Sequence, residues 1–256
     1  MLLAIDLSNT GVKFGLYDGR EMKARWRVAT VRDKTADEYA MTLAALCRHA
    51  NFAMSDIDDV IISSVVPQLT PTMQELAREY LHREAIVVSH KSQLGTRLLV
   101  DNPWETGTDR ILSVFAAKQI YSAPAIIIQF GTATSFDVAS QEGDFLGGVI
   151  APGMGISAEA LAQAASRLYQ VEWIAPPVTL GKNTKHTMQS GIVYGHAAMV
   201  EGIVSRLRRE FPGGTDAVVI AHGGLTDIVA SVTDCIQIRA PYLLLDGLQR
   251  AYEKLR

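Results

Sequence analysis

Residues 1–19 read MLLAIDLSNTGVKFGLYDG, and residues 125–139 read AIIIQFGTATSFDVA. In the first stretch a short apolar run, Leu2 to Ile5, ends in Asp6 and the turn-prone Ser8-Asn9-Thr10-Gly11. An extended run from Val12 to Tyr17 follows, closed by Asp18-Gly19. That is the pattern of a β-hairpin. The second stretch repeats it, with Gln129 in the place of Asp6 and Gly131-Thr132-Ala133-Thr134 as the turn. A hairpin that recurs with its neighbours in both halves of a chain points to an internal duplication.

Outward from each hairpin the two halves continue alike. Met22, Ala24, Trp26 and Val28 alternate with Lys23, Arg25 and Arg27, which predicts a half-buried third strand over 21–28. Thr35-Ala36-Asp37-Glu38 reads as a capping box at the start of a helix. Val60 to Val66 is a strand stopped by Pro67, Thr70-Pro71 opens a second helix, and Ala85 to Ser89 is a strand again. In the other half, Phe145 to Ile150 is the third strand, with helices from about Ser157 and Thr184, a strand over 217–221 and a helix near Leu243. The expected architecture is two similar hairpin-led α/β lobes around a central cleft. Residues 1–121 form one lobe and 122–256 the other, with no Pro-, Gly- or Ser-rich linker between them.

Composition narrows the function classes. The 256 residues carry 24 basic and 27 acidic side chains, a net charge of −3, which offers no excess for a phosphate backbone and argues against nucleic-acid binding. Apolar residues make up 48% of the chain, enough for a sizeable core and too many for disorder. Two cysteines form no disulfide framework and no CxxC pair. The N-terminus lacks a basic n-region, and no apolar run approaches the roughly 18 residues of a membrane span. A cytoplasmic protein without membrane attachment is expected.

The two turns carry hydroxyls and backbone donors. Successive turn N–H groups make an anion nest, so such a pair can clasp a polyphosphate. An acid at a strand end, such as Asp6, can hold a hydrated Mg²⁺ beside it. Each turn taken singly is an ordinary hairpin turn; their recurrence favours the phosphate reading. Asp109 stands at the start of the apolar run Ile111 to Ala117, as a helix N-cap or as a catalytic carboxylate. Gly181-Lys182-Asn183-Thr184 is not the end of a P-loop, because position 176 is Pro176 where a glycine is required. No GxGxxG follows a strand, and the histidines, His196 among them, lack metal-ligand spacing and read as structural or exposed.

Several short pieces, in order, carry a resemblance over essentially the whole chain. They are Asp6-x-Ser-Asn9-Thr10, Ser63-Ser64-Val65-Val66-Pro67, Asp101-Asn102-Pro103, Gly107-Thr108-Asp109-Arg110, Gly131-Thr132-Ala133-Thr134, Gly147-Gly148-x-Ile150-x-Pro152-Gly153, Gly181-x-Asn183-Thr184 and Gly223-Gly224-Leu225. The sequence resembles the type III pantothenate kinases, members of the superfamily of acetate and sugar kinases, hsp70 and actin. The resemblance implies a duplicated actin-like, ribonuclease H-like fold. It also implies ATP-dependent phosphorylation of pantothenate to 4′-phosphopantothenate, the first step of coenzyme A biosynthesis. Asp6, Leu7, Ser8, Asn9, Thr10, Gly11, Val12 and Lys13 would form the first phosphate loop, with Asp6 holding Mg²⁺ through water. Thr132 would contact ATP, and Asp109 would be the general base. Val100, Gly107, Thr108, Asp109 and Arg110 would receive pantothenate, with Thr184 reaching in from the other subunit of a homodimer.

The same resemblance marks four departures. Ser8 and His222 stand where the family has glycine and threonine, and Val100 where a pantothenate-contacting tyrosine is common. Gln129 replaces an aspartate that binds a monovalent cation, K⁺ or NH₄⁺. These substitutions keep a second reading open: a catalytically degenerate or substrate-shifted paralogue acting as a regulatory or accessory protein. The small residues Gly191, Gly195, Ala198 and Gly202 on the helix after Thr184 allow close backbone approach, either within the subunit or across a dimer interface.

Overall fold

Six buried residues, Leu2–Leu7, form strand β1, which pairs antiparallel with β2 (Gly11–Asp18) so that Asp6 lies opposite Lys13 and Leu7 opposite Val12. A computed structural model describes residues 1–256. β3 (Glu21–Ala29) joins β2, and its burial alternates residue by residue as the period-two pattern requires. α1 (Ala36–His49) starts at the expected capping box: Thr35 Oγ1 accepts the Glu38 N–H at 3.3 Å, and Glu38 Oε2 accepts the Thr35 N–H at 2.8 Å. β4 (Asp59–Ser64) runs parallel to β1, α2 (Thr70–Leu81) follows, and β5 (Ile86–Val87) closes a sheet of order β3-β2-β1-β4-β5. α3 (Thr108–Ile120) completes the first half.

The second half repeats the plan. β6 (Ala125–Phe130), β7 (Ala133–Ala139) and β8 (Phe145–Pro152) form an antiparallel meander. α4 (Met154–Ala164) and the long α5 (Thr184–Leu207) precede β9 (Val218–Gly223), which lies parallel to β6. α6 (Thr226–Ala230), the two-residue β10 (Ile238–Arg239) and α7 (Leu243–Leu255) end the chain. This sheet is ordered β8-β7-β6-β9-β10, the same sequence of roles as the first. The duplication read from the hairpins therefore extends to whole sheets.

The chain divides into Met1–Gln119 with Leu243–Arg256, and Ile120–Tyr242. That differs from the expected second lobe, 122–256, because α7 belongs to the first unit. The cause lies in β1, a central strand that must be covered on both faces. Leu3, Ile5 and Leu7 face α1 and α2, while Leu2 and Ala4 face the other side with Ile111, Leu112 and Phe115 of α3. Leu244, Leu245, Leu248 and Ala251 of α7 fill the rest of that second face. Each such leucine contributes roughly 1.5–3 kcal/mol on burial, enough to anchor the last helix there. Tyr17 Oη donates to Asp246 Oδ1 at 2.8 Å and Gln249 Nε2 to the Gly19 carbonyl at 2.9 Å, tying α7 to the β2 end of the hairpin. In the second unit Ile126, Ile128, Phe130, Phe136 and Val138 pack on Met154 of α4 and on Val193, Ala197, Val200 and Val204 of α5.

Candidate active site

In the first unit the sheet register gathers the predicted groups at one end. Asp6 is 1% exposed and sits between Lys13 of β2 and Ser63 of β4. Lys13 Nζ donates to Asp6 Oδ2 at 2.9 Å, so the buried carboxylate has a cationic partner. Beyond it, Asn9 and Thr10 are exposed at the tip of the turn. Ser8 closes that turn through its backbone N–H and its Oγ, both donating to the Gly11 carbonyl, at 3.0 and 2.7 Å. Thr30 Oγ1 donates to the Ser8 carbonyl at 2.6 Å. Ser8 is not among the residues with positive φ, so this backbone needs no glycine there. The serine is accommodated, and its hydroxyl adds a bond.

Ser63 links this turn to the Gly107–Arg110 segment. Its Oγ donates to Thr108 Oγ1 at 3.2 Å, and Thr108 Oγ1 donates to the Ser64 carbonyl at 2.9 Å. The start of α3 is thus fastened to the end of β4, one strand away from Asp6. Asp109 is the second residue of α3 rather than its N-cap, and it is half-buried. Its Oδ1 accepts the Arg110 N–H at 2.9 Å. A Cβ on Gly107 would stand 2.6 Å from that same Oδ1, so the carboxylate needs a glycine at 107 to lie where it does. Arg110 and Val100 are both half-buried, Val100 in the irregular segment ahead of Pro103.

In the second unit Gln129 near the end of β6 lies between Ser135 of β7 and His222 of β9. Two of the departures, Gln129 and His222, are therefore cross-strand neighbours, and His222 is buried. Thr132 is exposed at the tip of the Gly131–Thr134 turn, where Gly131 N–H donates to the Ala133 carbonyl at 3.0 Å. Gly153 backs the turn so closely that a Cβ there would fall 2.2 Å from the Thr132 carbonyl oxygen. Gly223, at φ +108°, presses on the Phe130 carbonyl from the β9 side. The glycine pieces of the sequence thus mark close approaches around one turn.

Thr184 is the first residue of α5, capped by Asn183, whose side chain accepts the His186 N–H at 2.9 Å. It borders a cavity of about 810 Å³ between α4 and α5, lined by Met154, Leu161, Met188, Ile192 and Met199. Gly191 and Gly195 also line it, and a Cβ on Gly191, Gly195 or Gly202 would meet nothing within 4 Å. Packing within this chain does not require these glycines. Seven large apolar side chains from the same part of the unit are exposed: Ile150, Ile156, Leu161, Tyr169, Ile174, Val178 and Leu180.

A family model for type III pantothenate kinase matches residues 2–206. A type III pantothenate kinase from Roseiflexus sp. (strain RS-1) is 45% identical over 256 residues, covering all of both chains. The chain belongs to the type III pantothenate kinase family. The enzyme of that name from Moorella thermoacetica is 42% identical over 254 residues, 99% of each chain. Among solved structures, component A of the (R)-2-hydroxyglutaryl-CoA dehydratase from Acidaminococcus fermentans superposes with a TM-score of 0.56 at 15% identity, covering 99% of this chain and 98% of that one. The ROK hexokinase from Thermus thermophilus gives 0.52 at 14%, over 100% and 99%. These two share the duplicated two-lobe fold of this kinase family.

His196 is the residue that sequence reading passed over. It is 8% exposed, and its Nε2 lies 3.0 Å from Thr134 Oγ1, a contact across 62 residues that no local pattern announces.

Proposed function

We propose that the protein transfers the γ-phosphoryl group of ATP to the primary hydroxyl of pantothenate, opening coenzyme A biosynthesis. One observation carries most of this reading. The β1–β4 register and the Ser63–Thr108 hydrogen bond place the Asp6 turn and the Asp109 carboxylate at the same end of one sheet. A primary alcohol is a weak nucleophile, so a positioned carboxylate is useful, while positioning and charge neutralisation supply most of the acceleration. Asp109 would take the hydroxyl proton as that oxygen bonds to the γ-phosphorus, and the bond to the bridging oxygen would break to release ADP. Arg110, Gly107, Thr108 and Val100 would hold the acceptor. Val100 in place of tyrosine removes a hydroxyl from that pocket, and pantothenate would be bound without it.

The residues fit a Mg²⁺ ion held mainly by water and phosphate. No group of three or more His, Cys, Asp or Glu side chains could cage a metal, and Asp6 is a single buried carboxylate beside the turn. Bound there, such an ion would neutralise charge on the phosphate oxygens. Lys13 brings fixed positive charge to the same turn. The Gly131–Thr134 turn, with Thr132 at its tip, would contact ATP.

A monovalent cation fits poorly at position 129. Gln129 has a neutral amide in place of a carboxylate, its NH₂ end repels a cation, and its cross-strand neighbour is the imidazole of His222. Exchange of Na⁺ for K⁺ or NH₄⁺ at constant ionic strength should therefore change the rate little, and Gln129→Asp should introduce a response. Strong, selective activation of the wild-type enzyme by K⁺ would refute this.

The protein would act as a homodimer in the cytoplasm. The open glycine face of α5, the cavity beside it and the exposed apolar side chains over 150–180 support a second copy as their cover. No helix is long and apolar enough to cross a membrane. Formation of 4′-phosphopantothenate from pantothenate and ATP in a coupled assay tests the whole reading. Absence of turnover under all cation conditions would favour the degenerate paralogue.

A further inference from the structure

The imidazole of His196 reaches the Gly131–Thr134 turn from behind. Its Nε2 is 3.0 Å from Thr134 Oγ1, on the strand leaving the turn, and its ring is 5.9 Å from that of Phe130, on the strand entering it. Phe130 and Thr134 are partners in the β6–β7 register, so one side chain grips both stems of the hairpin. Thr134 is itself 1% exposed. Gly153 presses on the Thr132 carbonyl from the β8 side. The turn is therefore fixed by a ladder, a close backbone contact and one buried side-chain hydrogen bond.

We infer that His196 is a positioning residue for ATP: through Thr134 it holds the second phosphate turn in its nucleotide-receiving shape. This rests on the reading that the Gly131–Thr134 turn binds ATP. Burial lowers the imidazole pKa, which keeps the ring neutral with one donor and one acceptor nitrogen. A threonine hydroxyl satisfies either tautomer. A neutral ring attracts no phosphate by charge, so its contribution is geometric. The only other ionisable side chain on the cavity wall that His196 shares is Lys182, in the segment just ahead of α5.

The test is a double-mutant cycle read in the ATP dissociation constant, measured by calorimetry with Mg²⁺ present. His196→Phe keeps the ring but removes the hydrogen bond, and Thr134→Val removes the same bond from its other end. Each should weaken ATP binding by about tenfold, the weight of one buried hydrogen bond. The double variant should be no weaker than either single one, because both remove one interaction. His196→Gln, whose amide can both donate and accept, should recover most of the affinity. The KM for pantothenate should move less than the ATP constant in every variant, and light scattering should give an unchanged particle size. Gly153→Ala separates the inference from the reading beneath it, since its methyl group displaces the turn directly. If Gly153→Ala weakens ATP but the cycle is additive, or His196→Phe binds ATP as the wild type does, the inference falls and the turn assignment stands. If Gly153→Ala also leaves ATP binding unchanged, both fall.

Discussion

Asp109→Asn is expected to lower kcat by about 10²–10⁴ while leaving the fold unchanged, the usual cost of losing a positioned base. The substitution is nearly isosteric, and the amide oxygen can still accept the Arg110 N–H that Asp109 Oδ1 accepts at 2.9 Å. The first turn of α3 also keeps its Thr108 anchors on Ser63 and the Ser64 carbonyl. What disappears is the capacity to take a proton, because a neutral amide is not a base at any accessible pH. The loss should therefore appear in kcat, with the KM for ATP little altered and the thermal unfolding transition in place. A steady-state assay alongside circular dichroism on the same preparation reads both quantities. A variant that keeps near wild-type kcat would remove Asp109 from the base role. The carboxylate would then be a structural member of the helix start, and the acceleration would rest on phosphate positioning alone.

Much of this arrangement is legible in the sequence because it is built from local patterns. The Leu2–Tyr17 hairpin, the alternation over 21–28 and the Thr35–Glu38 capping box are each written in fewer than twenty consecutive residues, and each forms as expected. The turns themselves are equally readable, since their glycines and hydroxyls are contiguous. Contacts between distant residues are not. The Ser63–Thr108 bond spans 45 residues and the Thr134–His196 contact 62, and nothing in the spacing of either pair predicts it. The placement of α7 was hidden for a related reason: its apolar stripe shows that it must pack, but not on which sheet. Only the uncovered Leu2 and Ala4 face of β1 decides that. Ser8 illustrates the reverse case: it departs from the family pattern, and the fold accommodates it because the backbone at that position is not left-handed. A glycine in a motif does not by itself show that the motif requires one.

If the protein is the homodimer proposed above, a charged side chain on the open face of α5 should separate the subunits and abolish most of the activity without unfolding the protein. Gly195→Arg is the sharpest version. Gly195 is exposed in the middle of a 24-residue helix, and a Cβ there meets nothing within 4 Å of its own chain. In an isolated subunit the replacement should be favourable, because glycine costs a helix interior about 1 kcal/mol relative to a good helix former. Only a second copy lying against the helix would make an arginine intolerable, by steric overlap with an approaching backbone and by burial of its charge. The exposed apolar residues Ile174, Val178 and Leu180 would lose their cover in the same step. If Thr184 completes the neighbour's acceptor site, separation also removes a binding group from every site at once. The expected result is a smaller particle by light scattering, a cooperative unfolding transition that is retained but lowered by loss of the subunit contact, and loss of pantothenate phosphorylation. A variant that is monomeric and fully active during turnover would show that each subunit carries a complete site. A variant that remains dimeric would place the interface elsewhere on the second unit.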